Sequence, residues 1–95
     1  MIKSFTHKGL ERFFATGATT GIQAIHAIHA KRLRLILAML DQAQLIDDMA
    51  APGLRLHPLA GSLRGQWAVT VQANWRVTFR FDGGDAHVVN YLDYH

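Results

Sequence analysis

His57 stands in the stretch RLHPLAGSLRGQW, where Pro58, Gly61 and Gly65 shape a loop beside Arg55 and Arg64. Asp93, Tyr94 and His95 end the sequence, and Arg76 and Arg80 fall between. Together these side chains offer the parts that metal-free cleavage of RNA by its own ribose 2′-hydroxyl requires. A base must take that proton, an acid must protonate the leaving 5′-oxygen, and cations must hold the charge that builds on phosphorus. Histidine, titrating near about 6.5, serves on either side. Arginine cannot act as a base near neutrality but suits charge stabilisation. An aspartate orients a neighbouring imidazole, and a tyrosine stacks on a base or shares in proton transfer. Spacing alone does not say whether these groups converge.

The remaining histidines carry less. His26 and His29 are spaced i, i+3 in AIHAIHA, but no acidic or thiol partner is close in sequence. They are read as exposed polar positions inside a duplicated triplet, and no metal or other cofactor is expected. His87 follows a turn and is read as an ordinary surface residue. The chain has no cysteine, which removes disulfides, thiolate nucleophiles and Cys-ligated zinc and fits a reducing compartment.

The elements that must position these groups are legible from period. Ile2 to Phe5 reads as a short strand. Thr6 follows as a helix N-cap, with Leu10, Phe13 and Phe14 forming an apolar stripe that ends at Gly17. A longer helix is expected from about Ala24 to Gln44, with Ile25, Ile28, Leu33, Ile36, Leu37 and Leu40 on its buried face. Leu54 to His57 reads as a strand, Gln66 to Val71 as a second, and Trp75 to Phe81 as a third. Asp82 to Asp85 marks a hairpin into a last strand, Ala86 to Leu92, whose apolar residues at both parities suggest cover on both sides. The order is βααβββ: an α+β fold with two N-terminal helices on one face of a small, mostly antiparallel sheet. If Trp75, Val77, Phe79 and Phe81 face the helices, Arg76, Thr78 and Arg80 face away. By the same alternation Arg55 and His57 face out, giving an uncovered sheet face suited to single-stranded RNA.

Composition bounds the rest. Ninety-five residues, 49% hydrophobic and 18% charged, make one folded domain over residues 1–95. The N-terminus has no apolar core of a signal peptide, and the longest apolar run is too short for a bilayer, so a cytoplasmic protein without membrane contact is expected. The formal net charge is +3, but its distribution says more. No acidic residue lies between Met49 and Phe81, where Arg55, Arg64, Arg76 and Arg80 all fall. A solvated basic face and a polyanion site are equally good readings of that segregation taken alone.

HKGLERFFATG, AKRLRLIL, PGLRLHPLAGSLRGQWAVTV, NWRVTFRF and the terminal YLDYH, in this order, resemble the HigB toxins, or proteic killer proteins, of the RelE superfamily. The resemblance implies a compact RelE-like fold and a ribosome-dependent mRNA endonuclease that cuts the codon in the aminoacyl site without a metal. It also implies a HigA-like helix-turn-helix antitoxin as partner, with operator DNA reached only through that antitoxin. Carried over by residue, His57 matches the histidine of the family's HPL motif. Asp93, Tyr94 and His95 match its terminal DYH set, implicated in catalysis. Arg76 matches the arginine after the second tryptophan, assigned to phosphate or transition-state contact. Arg64 takes the basic loop position, and Arg80 and Arg55 join the phosphate-binding set.

Two departures stand out. The family's HPLKG is HPLAG here, so Ala60 replaces a functional lysine, and removing one charge-stabilising donor typically costs about 10²–10³ in rate. The AIHAIHA segment is also about three residues longer than usual. The rival reading is therefore an attenuated toxin-fold module that partners an antitoxin or occupies the ribosome without cutting. Direct DNA binding ranks below both, because the helices lack a helix-turn-helix pattern.

Overall fold

In the computed structural model, which describes residues 1–94, helix α1 spans Lys8–Thr16 and helix α2 spans Ala30–Gln42. Four strands follow, β1 (His57–Pro58), β2 (Trp67–Gln72), β3 (Trp75–Asp82) and β4 (Asp85–Asp93), each antiparallel to the next in the order β1-β2-β3-β4. The expected α+β architecture holds. Leu10 and Phe13 of α1 and Leu33, Ile36, Leu37 and Leu40 of α2 share one apolar core with Val69, Val77, Phe79, Val89 and Tyr91 of the sheet.

Local chemistry explains the departures from the periodic reading. Helix α1 is capped by His7, not Thr6: the imidazole Nδ1 accepts the Leu10 N–H at 2.9 Å. Gly17 ends the helix at φ 80, a left-handed conformation that costs a residue without Cβ little. The second helix begins later than expected, after a 3₁₀ turn at Ala27–His29. Three residues per turn in that segment shift the phase of its side chains. His29, not Ile28, then turns inward, and Ile28 is left 78% exposed.

Strand Leu54–His57 shortens to His57–Pro58 because Arg55 adopts φ 52, outside the extended region that regular strand pairing needs. The first segment makes two parallel bridges to β4, Ile2 with Ala86 and Phe5 with Val89, not a full strand. Its backbone nonetheless runs along β4: Lys3 N–H donates to the Ala86 carbonyl and Thr6 N–H to that of Val89. That pairing covers the sheet edge which β4 would otherwise expose.

The mixed parity of β4 has a cause other than double cover. Thr78 pairs with Asn90 but Arg80 with His87, so β4 holds one extra residue between them, and Val88 there has φ 50. This β-bulge resets the alternation, and Ala86 before it and Val89 and Tyr91 after it all point into the core.

Candidate active site on the outer sheet face

Directly opposed residues of antiparallel strands share a face, so the registers place the predicted groups. Val69, Val77 and Tyr91 form a row on the core side. The next row, His57, Ala68, Thr78 and Asn90, therefore lies on the opposite, outer side. Beside it runs the row Thr70, Arg76 and Leu92, and beyond the bulge Arg80 pairs with His87. His57 and Arg76 thus share the outer face, two strands apart, roughly 10 Å across the sheet by strand spacing.

The floor between them is recessed. Ala68 is fully buried and Thr78 is only 1% exposed, although period alone put Thr78 on the open surface with Arg76 and Arg80. His57, Arg76, Asn90 and Leu92 around them are half-buried. Small side chains at the centre with larger ones at the border make a depression, not a flat platform.

The His57 ring is oriented by its own chain. Its Nδ1 lies 2.8 Å from the Arg55 carbonyl oxygen, which can only accept, so Nδ1 carries the proton. In the neutral ring the lone pair is then on Nε2, the atom a base would use. The left-handed conformation of Arg55 that ends the strand also presents this carbonyl. Arg55 itself is exposed.

The Arg76 guanidinium folds back onto the β2–β3 turn, where Nη1 donates to the carbonyls of Ala73 and Trp75. Its buried Nε has no hydrogen-bond partner among the described residues. Tyr94 closes on the same turn through its N–H to the Asn74 carbonyl at 2.7 Å. The turn therefore joins Arg76 to the end of β4. Asp93 differs from this group: it pairs with Trp75 and shares the helix-side face. His95, the last of the expected set, lies outside the described residues.

Ala60 precedes a 3₁₀ turn at Gly61–Leu63, and Arg64 follows it. Both are exposed. One short turn thus separates Ala60 from a cation.

A second cluster, on the helix side, was not foreseen. His29 is 4% exposed, and its Nδ1 sits 2.7 Å from the Tyr91 hydroxyl. Trp75 stacks on Tyr91 with ring centres 4.6 Å apart, and His26 meets Trp75 edge-on at 4.8 Å. Burial lowers the His29 pKa, with the neighbouring His26 adding to the effect, and burial raises that of Tyr91. The AIHAIHA repeat hid this, because equal triplets give no sign of which histidine turns inward. Among the described residues no group of three His, Asp or Glu side chains is arranged to hold a metal, and no helix is long and apolar enough to cross a membrane.

Comparison with known proteins identifies the family. The model of the RelE-like toxin of the type II toxin–antitoxin system HigB matches residues 3–95. The Endoribonuclease HigB of Proteus vulgaris is 45% identical over 95 residues, covering all of both chains. A match over nearly the whole length makes this chain a member of the HigB-like toxin family of type II toxin–antitoxin systems.

Proposed function

We propose that this protein is an endoribonuclease that cuts mRNA in the ribosomal aminoacyl site, without a metal, and so stops translation in the cytoplasm. The observation that carries this reading is the His57 ring, held with Nδ1 protonated and Nε2 basic on the same outer face as Arg76. In this mechanism His57 Nε2 takes the proton of the ribose 2′-hydroxyl as its oxygen bonds to phosphorus, and the P–O bond to the 5′-oxygen breaks as Tyr94 or His95 protonates it. Arg76, with Arg64, Arg80 and Arg55 around it, holds phosphate oxygens and the charge that develops on phosphorus. Tyr94 and His95 share proton transfer with His57, and Asp93, on the helix-side face, orients the chain that carries them and not the His57 ring. A HigA-like helix-turn-helix antitoxin silences the toxin, and operator DNA is reached through that antitoxin.

The test is cleavage of a defined mRNA by purified protein with and without ribosomes. Cutting is expected only with ribosomes, and His57→Gln should lower the rate by about 10²–10⁴, the range of a lost general acid–base. Efficient cutting of free RNA that depends on an added divalent metal would contradict the reading.

Ala60 supports a second reading, an attenuated toxin, because a methyl group stands where the family carries a lysine. Ala60→Lys separates the two. If the substitution turns a harmless protein into one that arrests growth, the present chain is attenuated. If arrest is already strong and changes little, Arg64 across the 3₁₀ turn supplies the charge.

A further inference from the structure

Two buried polar atoms on the outer sheet face meet no partner, and their residues stand across from one another. Thr70 Oγ1 and Arg76 Nε are each shut off from solvent and make no hydrogen bond among the described residues. Thr70 and Arg76 are directly opposed in the β2–β3 register. The backbone fixes how closely they approach. The Thr70 N–H donates to the Leu54 carbonyl at 2.7 Å, and the Thr70 carbonyl accepts from Arg32 Nη2 at 3.3 Å. Both backbone groups of Thr70 therefore turn away from β3. That makes Thr70 and Arg76 a non-hydrogen-bonded pair, the kind whose side chains lie nearest, with Cα atoms roughly 4.5 Å apart.

The two unmet groups are complementary. The Nε–H of a guanidinium only donates, and a threonine hydroxyl can accept. What holds them apart is the far end of the arginine, because Nη1 is drawn back to the carbonyls of Ala73 and Trp75 on the turn. In that pose the cation bonds to its own backbone and leaves Nε unmet. An unmet buried donor or acceptor is costly, so this arrangement favours release when a better partner for Nη1 arrives.

We propose that Arg76 has a resting pose on the β2–β3 turn and a working pose on Thr70, which makes Thr70 the positioning residue for the guanidinium. An incoming phosphate draws Nη1 off the turn carbonyls, and Nε–H then donates to Thr70 Oγ1. Both buried groups are satisfied in one movement. Nη1 and Nη2 are left pointing away from the strand, as the fork that grips a phosphate end-on. The proposal rests on the reading of Arg76 as a phosphate-binding group and adds the residue that aims it. Thr70 acts only through Arg76, since its hydroxyl is closed off from solvent.

Thr70→Val keeps the side-chain shape and removes the hydroxyl, and Thr70→Ser keeps the hydroxyl. In cleavage of a defined mRNA on ribosomes, Thr70→Val should lower kcat and kcat/KM together by about tenfold with KM unchanged, the pattern of an interaction made only in the reacting state. Thr70→Ser should recover most of that loss. Urea denaturation should find Thr70→Val at least as stable as the parent, because valine leaves no buried hydroxyl unmet. Lower activity in a protein no less stable separates aim from fold. Arg76→Lys keeps the charge but has no Nε–H, so in that background Thr70→Val should change the rate no further. A readout independent of cleavage is the Arg76 Nε–H signal of the full-length chain by NMR. Saturating inorganic phosphate should move it downfield in the parent and in Thr70→Ser, but not in Thr70→Val. Parent kcat in Thr70→Val, or an equal loss in the Arg76→Lys background, overturns the proposal and leaves the nuclease reading standing. A hydroxyl-dependent shift in a chain that cuts no mRNA on ribosomes supports the Thr70–Arg76 pairing and sinks the nuclease reading. No shift in the parent overturns the pairing, whatever the chain cuts.

Discussion

His7 and His29 show how a single imidazole couples this fold to proton concentration. The His7 Nδ1 must be unprotonated to accept the Leu10 N–H, and burial lowers its pKa despite an opposing backbone hydrogen bond. His29 is lowered too, by burial first and by His26 second. Both are held neutral in the fold, whereas the unfolded chain takes up their protons first as pH falls. Their stabilising contribution is complete above the unfolded value of about 6.5 and is lost as pH drops through the lower folded values. Urea denaturation at pH 7.5 and pH 5.5 should therefore show a less stable protein at the lower pH. His7→Asn retains a capping oxygen that does not titrate in this window, so it should shrink that difference. His57 gives the counterpart at the candidate site, since its Nδ1 proton is fixed by a carbonyl two residues back. That bond was invisible in the sequence, because it depends on the unexpected left-handed turn at Arg55.

At the scale of elements, period was a good guide where side chains alternate or repeat without interruption. Strands β2 and β3 fall within a residue of their expected limits, and the α1 stripe packs as its spacing demands. The failures share one origin, a residue whose backbone leaves the regular state. Arg55 shortens β1, the 3₁₀ turn at Ala27–His29 rotates Ile28 outward, and Val88 resets β4. None of the three is a glycine or asparagine, the usual signs of such places. Val88 is a β-branched residue in the left-handed region, where an L side chain costs about 1–2 kcal/mol. It is 36% exposed, so little packing is lost on replacement. Val88→Asn should keep the bulge, including the Val88 N–H bond to Ser4 Oγ, and raise stability by about 1 kcal/mol, read as a higher melting temperature.

Over the whole molecule, the site divides into what was legible and what was not. The motifs named His57 and Arg76, and the alternation of β3 put Arg76 on the outer face. The recess did not follow, because burial of Thr78 depends on its neighbours Ala68 and Asn90 across three strands. Nor did the placement of Asp93 opposite Trp75, which depends on the bulge-shifted pairing of β4. The core carries both faces: Phe79 is fully buried between the helices and the strands that hold His57 and Arg76. Phe79→Ala should cost about 3–5 kcal/mol, a large part of the roughly 5–15 kcal/mol available to a small domain. Chemical denaturation would register this as a midpoint shift, and nuclease function would fall with the folded fraction.

The first residues lie along β4, which comes late in the chain and is clasped on its other side by β3. Synthesis therefore delivers β4 after the elements it must join, and the opening segment must wait for it. A nascent polypeptide stopped before residue 85 has neither that docking edge nor the scaffold that sets Arg76 beside Tyr94.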